Sequence, residues 1–334
     1  MAGFLKELHV KQFACLKDVK CNLTPLHAFI GPNDSGKSTL LNLIASLFSG
    51  RYPDSIHVFA NFIDGSGLWI NHAGNPGVNV TTGGNPQIVP LASATTQQEL
   101  AALSVRVGTG VERAQLVRLN ADELRMPSQL LPYGTDLLLQ GRGQNIAGLY
   151  DAVRDRNVER FTAISRQVTE MFPTVKTLGL RATGQSQKVL TVALVDGTEV
   201  LSGAMSEGLL YYLAFAILAE LRRPAVYLVE EPENGLHPSR IADIVHTLRA
   251  IAEDAKNPVQ VIMATHSPLV VNELRPEEVT VVTRDPVTGT QLHPIKATPH
   301  FEERSKVYAL GELWLSYADG KAEAPLFDQV DARN

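Results

Sequence analysis

Nine consecutive residues constrain this chain more than any others: Gly31, Pro32, Asn33, Asp34, Ser35, Gly36, Lys37, Ser38 and Thr39. They fit the pattern G-x-x-x-x-G-K-[ST] of a phosphate-binding loop (P-loop) without a mismatch. The spacing has a chemical reason. A loop short of side chains lets successive backbone N–H groups point at a run of anionic phosphates. Gly31 and Gly36 allow a close backbone approach that a side chain would block. Lys37 brings a point charge to the outer phosphates, and the Ser38 hydroxyl is placed to ligate Mg²⁺. The positive end of the following helix adds to the anion site.

The flanking sequence supplies the setting that such a loop requires. Leu26-His-Ala-Phe-Ile30 reads as a short buried strand before it. Leu40, Leu41, Leu43, Ile44, Leu47 and Phe48 follow at the spacing of a helix's buried face, ending near Gly50. Strand, glycine loop and helix together predict an α/β fold that binds a nucleoside triphosphate with Mg²⁺.

A second half of the site is readable downstream. Ala225-Val-Tyr-Leu-Val229 is a strand-length apolar run that ends in Glu230-Glu231-Pro-Glu-Asn-Gly-Leu-His-Pro238. An apolar strand followed by an acid is the Walker B arrangement, which delivers a carboxylate to the metal beside the P-loop. Glu230 takes that position, where many such proteins carry Asp, and Glu231 is placed to deprotonate the attacking water. Val259-Gln-Val-Ile-Met-Ala-Thr-His266-Ser is another buried strand, ending in a histidine. At the carboxyl end of a parallel strand, a histidine is expected to face the nucleotide. Upstream, Leu201-Ser-Gly-Ala-Met-Ser-Glu-Gly208 precedes an apolar helix over Leu209–Leu221, a further anion-binding helix start.

The intervening segments are less specific. Residues 4–30 read as two or three strands feeding the P-loop. Glycines 65, 67, 74, 77, 83 and 84 punctuate short stretches such as Gly67–Asn71 and Val78–Val80, so residues 51–135 read as an antiparallel insertion or long loops and not as helices. From Asn145 to Phe172 the pattern is helical and Pro173 ends it. Arg154, Arg156, Arg160 and Arg166 lie on its polar side, as a solvated face or a contact patch for nucleic acid or a partner. Val189–Val195 alternates as a strand before the turn Asp196-Gly197. No heptad repeat is present, which excludes a long coiled-coil arm.

Charge and cysteine content narrow the function classes. Thirty Lys plus Arg stand against 35 Asp plus Glu, a net charge of −5, so whole-chain charge gives DNA binding no support. Cys15 and Cys21 lack a zinc-site spacing and read as free thiols. The first residues lack a signal peptide's apolar stretch, and the longest apolar run, Leu209–Ala219, is too short to span a bilayer. A cytoplasmic protein without a membrane partner is the expectation.

The order of these motifs resembles the ABC class of ATPases. Within that class, Glu-Glu-Pro-Glu-Asn-Gly-Leu-His-Pro with Ala-Thr-His-Ser-Pro is similar to the soluble branch of RecF, SMC-like and OLD (overcoming lysogenisation defect) proteins. Gly-Glu-Leu-Trp314 resembles bacterial ATPases related to OLD. The resemblance implies an ABC-type ATPase head with a mixed sheet, an antiparallel β insertion and a short helical subdomain. It implies one ATPase domain over 1–334: a P-loop lobe (1–50), a β- and loop-rich insertion (51–135), a helical subdomain with strands (136–200), the signature-to-switch region (201–285) and a C-terminal segment (286–334). It further implies Ser206, Glu207 and Gly208 as the signature, Glu231 as the base, His266 as the γ-phosphate switch and Asn234–His237 as the dimer-contacting D-loop. Ser202-Gly203 looks superficially closer to the transporters' signature, but Ser206-Glu-Gly208 leads directly into the helix.

In this class the signature of one subunit closes over the P-loop of another, so a homodimer across two ATP sites is implied. Full OLD nucleases carry a Toprim domain, whereas the segment after His266 is shorter than one and has no Asp-x-Asp pair. A nuclease or other effector is therefore expected as a separate partner, in DNA transactions or antiviral defence. The glutamine loop is open among Gln87, Gln129, Gln140 and Gln144, with Gln140 or Gln144 preferred. Two competing readings are the energy-coupling subunit of a membrane transporter, which calls for Leu-Ser-Gly-Gly-Gln, and a nucleotide-gated scaffold with little turnover.

Overall fold

The computed structural model describes residues 4–49, 56–63, 67–71, 77–82, 85–90, 114–221, 224–298 and 300–317, with backbone only for 67–90. The chain divides into two compact units. The first comprises 1–116, 224–231 and 249–334, and the second 117–223 and 232–248.

Alternating burial along the N-terminal strands builds one face of the first unit. β1 (Leu5–Gln12) buries Leu5, Leu8 and Val10 and pairs antiparallel with β2 (Val19–Asn22) on one side and β4 (His57–Phe62) on the other. β5 (Gly67–Asn71), β6 (Gly77–Thr82) and β7 (Asn85–Pro90) extend this sheet, each antiparallel to the last. The antiparallel character expected of this insertion holds over β4–β7; residues 91–113 and Gly65, Gly74, Gly83 and Gly84 lie outside the described residues.

The second sheet of this unit is mixed. Its order is β16 (Gly289–Pro294), β15 (Val279–Asp285), β3 (Leu26–Ile30), β14 (Gln260–Thr265), β13 (Val226–Glu230) and β8 (Ala114–Val117). β15, β3, β14 and β13 run parallel, and β16 returns antiparallel to β15. Every residue of β3 and β14 is buried, as continuous apolar strands in a parallel sheet should be. α1 (Lys37–Ser49) is the predicted helix, and the six apolar residues predicted for its buried face are all fully buried. They join Leu5, Leu8, Phe62, Phe29, Leu228 and Ile262 in one core cluster, so α1 is packed by side chains of both sheets. Gln260 stitches the sheets: its amide donates to Leu5 O at 2.7 Å and accepts from Leu5 N at 2.8 Å. A buried amide is tolerated there because both ends are satisfied.

The second unit is helical with a small sheet. One sequence expectation is corrected in it. Residues 51–135 are not free of helix: α2 spans Ala121–Arg125, capped by Asn120, whose side chain accepts from Glu123 N at 3.1 Å. The helical character expected from 145 to 172 holds, as two helices, α3 (Ile146–Arg156) and α4 (Val158–Met171). Asn157 ends the first and caps the second, its side chain accepting from Arg160 N at 2.9 Å in an extended backbone conformation. α5 (Glu207–Glu220) is buried from Leu209 to Leu218, which marks it as the central helix of this unit. β10 (Val175–Ala182), β11 (Gln187–Leu194), β12 (Glu199–Leu201) and β9 (Ser128–Gln129) form its sheet.

Three of the four helix arginines bind their own chain. Arg154 pairs with Asp151 at 2.5 Å, Arg156 donates to Thr135 O at 2.7 Å, and Arg160 donates to Glu220 O at 2.8 Å.

Candidate functional site

The register of the parallel strands assembles the site of the first unit. Ile30 pairs with Thr265, and Ala264 pairs with Glu230. β3, β14 and β13 therefore finish at one level. The residues that follow them share one sheet edge: 31–39 after β3, Glu231 after β13 and His266 after β14. In an open parallel sheet, this carboxyl edge is where ligands bind.

The loop after β3 has the geometry of an anion cradle. Asp34 (φ +66°) and Gly36 (φ +108°) both take left-handed backbone angles, which turn neighbouring N–H groups toward one side. A Cβ on Gly31 would lie 2.1 Å from Val282 O, so the loop's first glycine is required by close packing. Lys37 is buried and its ammonium donates to Gly31 O at 2.7 Å and Pro32 O at 2.6 Å, centring the positive charge over the loop. Ser35 Oγ is buried without a hydrogen-bond partner among the described residues. A hydroxyl so placed fits a phosphate oxygen as its acceptor. Pro32 is half-buried and Asn33 is exposed, as is Ser38 at the first turn of α1; Thr39 beside it is half-buried and accepts from the Cys15 thiol at 3.7 Å. The donor set suits a triphosphate with Mg²⁺, an ion that usually takes only one or two protein ligands beside phosphate oxygens.

Glu231 carries the unit's most telling backbone angle. Its φ is +44°, left-handed and unfavourable for a residue with a side chain by on the order of 1 kcal/mol. Its N–H donates to Ala264 O at 2.8 Å, which fixes the turn at the strand end. The carboxylate Oε1 lies 3.4 Å from His266 Nδ1, and both side chains are partly exposed. Thr265 and Ser267 explain how His266 is presented. Thr265 Oγ1 accepts from Ser267 N at 2.9 Å, and Ser267 immediately precedes α7 (Pro268–Asn272), which has proline at its first position. α9 (Leu310–Tyr317) packs on α7: Gly311 N donates to Asn272 Oδ1 at 2.7 Å, and Leu313 and Trp314 are buried. The Gly-Glu-Leu-Trp stretch thus supports the helix that starts just after His266.

The other predicted residues lie in the second unit. Ser206 caps α5, its Oγ accepting from Leu209 N at 3.4 Å, and both Ser206 and Glu207 are exposed. Ser202 is buried and donates to Arg125 O at 2.8 Å, so its hydroxyl is used inside the fold. Arg125 also reaches Glu207 at 3.9 Å. Gly208 and Gly235 meet closely: a Cβ on Gly208 would lie 3.2 Å from Gly235 O, and Gly235 sits against the Tyr211 ring. The Asn234–His237 turn is therefore packed on the first turn of α5.

Among the glutamines, Gln129 accepts from Ser186 Oγ at 2.9 Å, and Gln144 accepts from Arg142 N at 3.0 Å within its own turn. Gln140 is exposed, and the Gln87 side chain lies outside the described residues. Cys15 and Cys21 are free thiols, and burial pushes Cys21 up to about 12. Among the described residues no helix is long and apolar enough to cross a membrane, and no three His, Cys, Asp or Glu side chains gather to hold a metal ion.

Known proteins share this arrangement in part. A family model described as an AAA ATPase domain matches residues 4–81. A second, described as "AAA domain, putative AbiEii toxin, Type IV TA system", matches residues 133–272. An OLD nuclease of Thermus scotoductus (strain ATCC 700910 / SA-01) is 40% identical over 62 residues, which is 18% of this chain and only 12% of that protein. The SmcHead bound to the C-winged helix domain of ScpA is similar in fold, with a TM-score of 0.58 at 16% identity, covering 87% of this chain and 97% of that one. The SMC head domain from Thermotoga maritima gives 0.52 at 14% identity, covering 87% and 98%. At such identities these structures speak for the fold, which is that of an α/β P-loop NTPase head. The matched domains support ATP hydrolysis in broad terms. Taken together, the two ATPase-domain matches, the partial OLD relative and the SMC-head fold support an AAA/ABC-type ATPase similar to those of the RecF, SMC and OLD branch.

Proposed function

We propose that this protein is an ATP-driven switch in which two copies clasp two ATP molecules and separate on hydrolysis. The observation that carries the reading is the common level of β3, β13 and β14, which gathers the P-loop, Glu230, Glu231 and His266 at one edge. Lys37 and the loop N–H groups bind and orient the phosphates and offset charge that grows in the transition state. Ser38 and Glu230 would hold Mg²⁺, which neutralises phosphate charge when bound. Glu231 accepts the proton of the attacking water. His266, 3.4 Å from that carboxylate, orients it and reads the γ-phosphate.

The partner copy supplies Ser206, Glu207 and Gly208. Two features support that assignment over Ser202: the exposure of Ser206 at the start of α5, and the internal use of the Ser202 hydroxyl. The output is a DNA transaction or the activation of a separate effector, with antiviral defence as the setting; this part rests on the family relationship. Phosphate release measured beside light scattering tests the switch. ATP should raise the mass to that of a dimer, and turnover should accompany it. Dimer without phosphate release would make the protein a nucleotide-gated scaffold instead.

A further inference from the structure

The P-loop is gripped from outside by a hairpin that none of the motifs includes. Arg284 and Thr290 stand directly opposite each other in the β15–β16 register. Each donates to one of two consecutive P-loop carbonyls: Arg284 Nη1 to Asp34 O at 3.1 Å, and Thr290 Oγ1 to Ser35 O at 2.8 Å. Thr290 is buried, and its own N–H donates to Cys15 O at 3.1 Å. The hairpin turn is held in addition by Lys17, whose ammonium donates to Val287 O at 2.7 Å. Asp285 accepts from Val287 N at 2.8 Å and Thr288 N at 2.7 Å, and these bonds hold its carboxyl below the usual range.

Peptide planarity gives this grip a consequence. In a trans peptide the C=O of one residue and the N–H of the next point in opposite directions. Drawing Ser35 O outward to Thr290 aims the Gly36 N–H inward, to the phosphate side. Gly36 accepts this orientation at φ +108°, and a Cβ there would lie 2.5 Å from Thr290 Oγ1, so glycine and threonine are matched as a pair. Arg284 holds the preceding carbonyl, and the Ser35 N–H of that same peptide donates to Pro32 O at 3.4 Å, so this bond braces the turn that leads into Gly36.

We infer that the cross-strand pair Arg284–Thr290 is a positioning device that presets the P-loop turn and its Gly36 N–H and thereby sets affinity for the nucleoside triphosphate without touching it. The inference rests on the nucleotide reading of the P-loop. Loss of one such hydrogen bond should weaken ATP binding about tenfold.

The test is titration calorimetry of the full chain with ATP-Mg²⁺, paired with steady-state kinetics. Thr290→Val keeps the shape and removes the hydroxyl, and should raise both Kd and KM about tenfold, with kcat within about twofold. Thr290→Ser restores the donor and should bind like the wild type. Arg284→Met is an exposed change that leaves the fold intact, and should raise Kd in the same direction even if Thr290→Val fails to fold. Wild-type affinity in both Thr290→Val and Arg284→Met overturns the inference, as does Thr290→Ser binding as weakly as Thr290→Val. Lys37→Ala separates the two levels. If it loses ATP while the hairpin variants do not, the inference alone fails. If it binds ATP like the wild type, the nucleotide reading itself fails.

Discussion

Glu231 Oε1 lies 3.4 Å from His266 Nδ1, a contact made by residues that leave two neighbouring parallel strands. The relationship depends on strand register, because Ala264 faces Glu230, and Glu231 leaves β13 one residue later while His266 leaves β14 two residues later. It also depends on the left-handed backbone of Glu231, which a simple strand extension would not provide.

His266→Ala should therefore lower ATP turnover while leaving binding in place, since in the proposed switch the imidazole works through the Glu231 carboxylate and the P-loop holds the phosphates. A fall of roughly a hundredfold in kcat is expected. Single-turnover phosphate release with saturating ATP checks it. Unchanged kcat would remove His266 from the mechanism.

The two serines upstream of α5 should behave oppositely. Ser206→Arg places a bulky cation on an exposed helix start and should abolish turnover, while each chain still binds nucleotide. Ser202→Ala removes a buried hydroxyl bonded to Arg125 O and should cost stability, about 1 kcal/mol in urea denaturation, while turnover persists. Turnover lost in Ser202→Ala but retained in Ser206→Arg would reassign the signature.

Gly311→Ala should destabilise the first unit. A Cβ there would lie 2.1 Å from Pro268 O, a backbone atom that moves only with α7. Overpacking of this kind costs about 1–3 kcal/mol, and the displaced helix starts two residues after His266. Turnover should fall together with the denaturation midpoint. An unchanged midpoint would show that α9 does not press on α7.

His27 makes stability depend on acid. It is buried between Thr24 and Thr280, with hydrogen bonds of 3.1 and 3.0 Å, and burial pushes its imidazole down to about 3. The unfolded chain titrates near 6.5, so between these values it binds a proton that the native chain refuses. Stability therefore falls as pH drops from about 6.5 toward about 3, by on the order of 2 kcal/mol at about pH 5. His27→Gln should show a correspondingly smaller loss between about pH 7.5 and about pH 5. Equal losses in the two proteins would contradict the burial argument.

Much of this is legible in the sequence. The P-loop, β3 and α1 follow from a glycine spacing and a helical run of apolar residues whose burial is complete. β13 and β14 were readable as apolar strands ending in polar residues. The break at Asn157 was not, because apolar periodicity runs through it and the cap is a single polar residue. α2 escaped for the same reason, being one short turn started by Asn120. The grip of Thr290 and Arg284 on the P-loop joins residues about 250 positions apart, and no local pattern announces such a bond.

The most direct test of the switch is light scattering of Glu231→Gln with and without ATP-Mg²⁺, alongside phosphate release. Removing the base while keeping the side chain's size should cut turnover by at least a hundredfold or so and leave ATP bound. The account predicts a stable dimer with ATP and a monomer without it. A variant that stays monomeric at saturating ATP, or that hydrolyses at the wild-type rate, would contradict it.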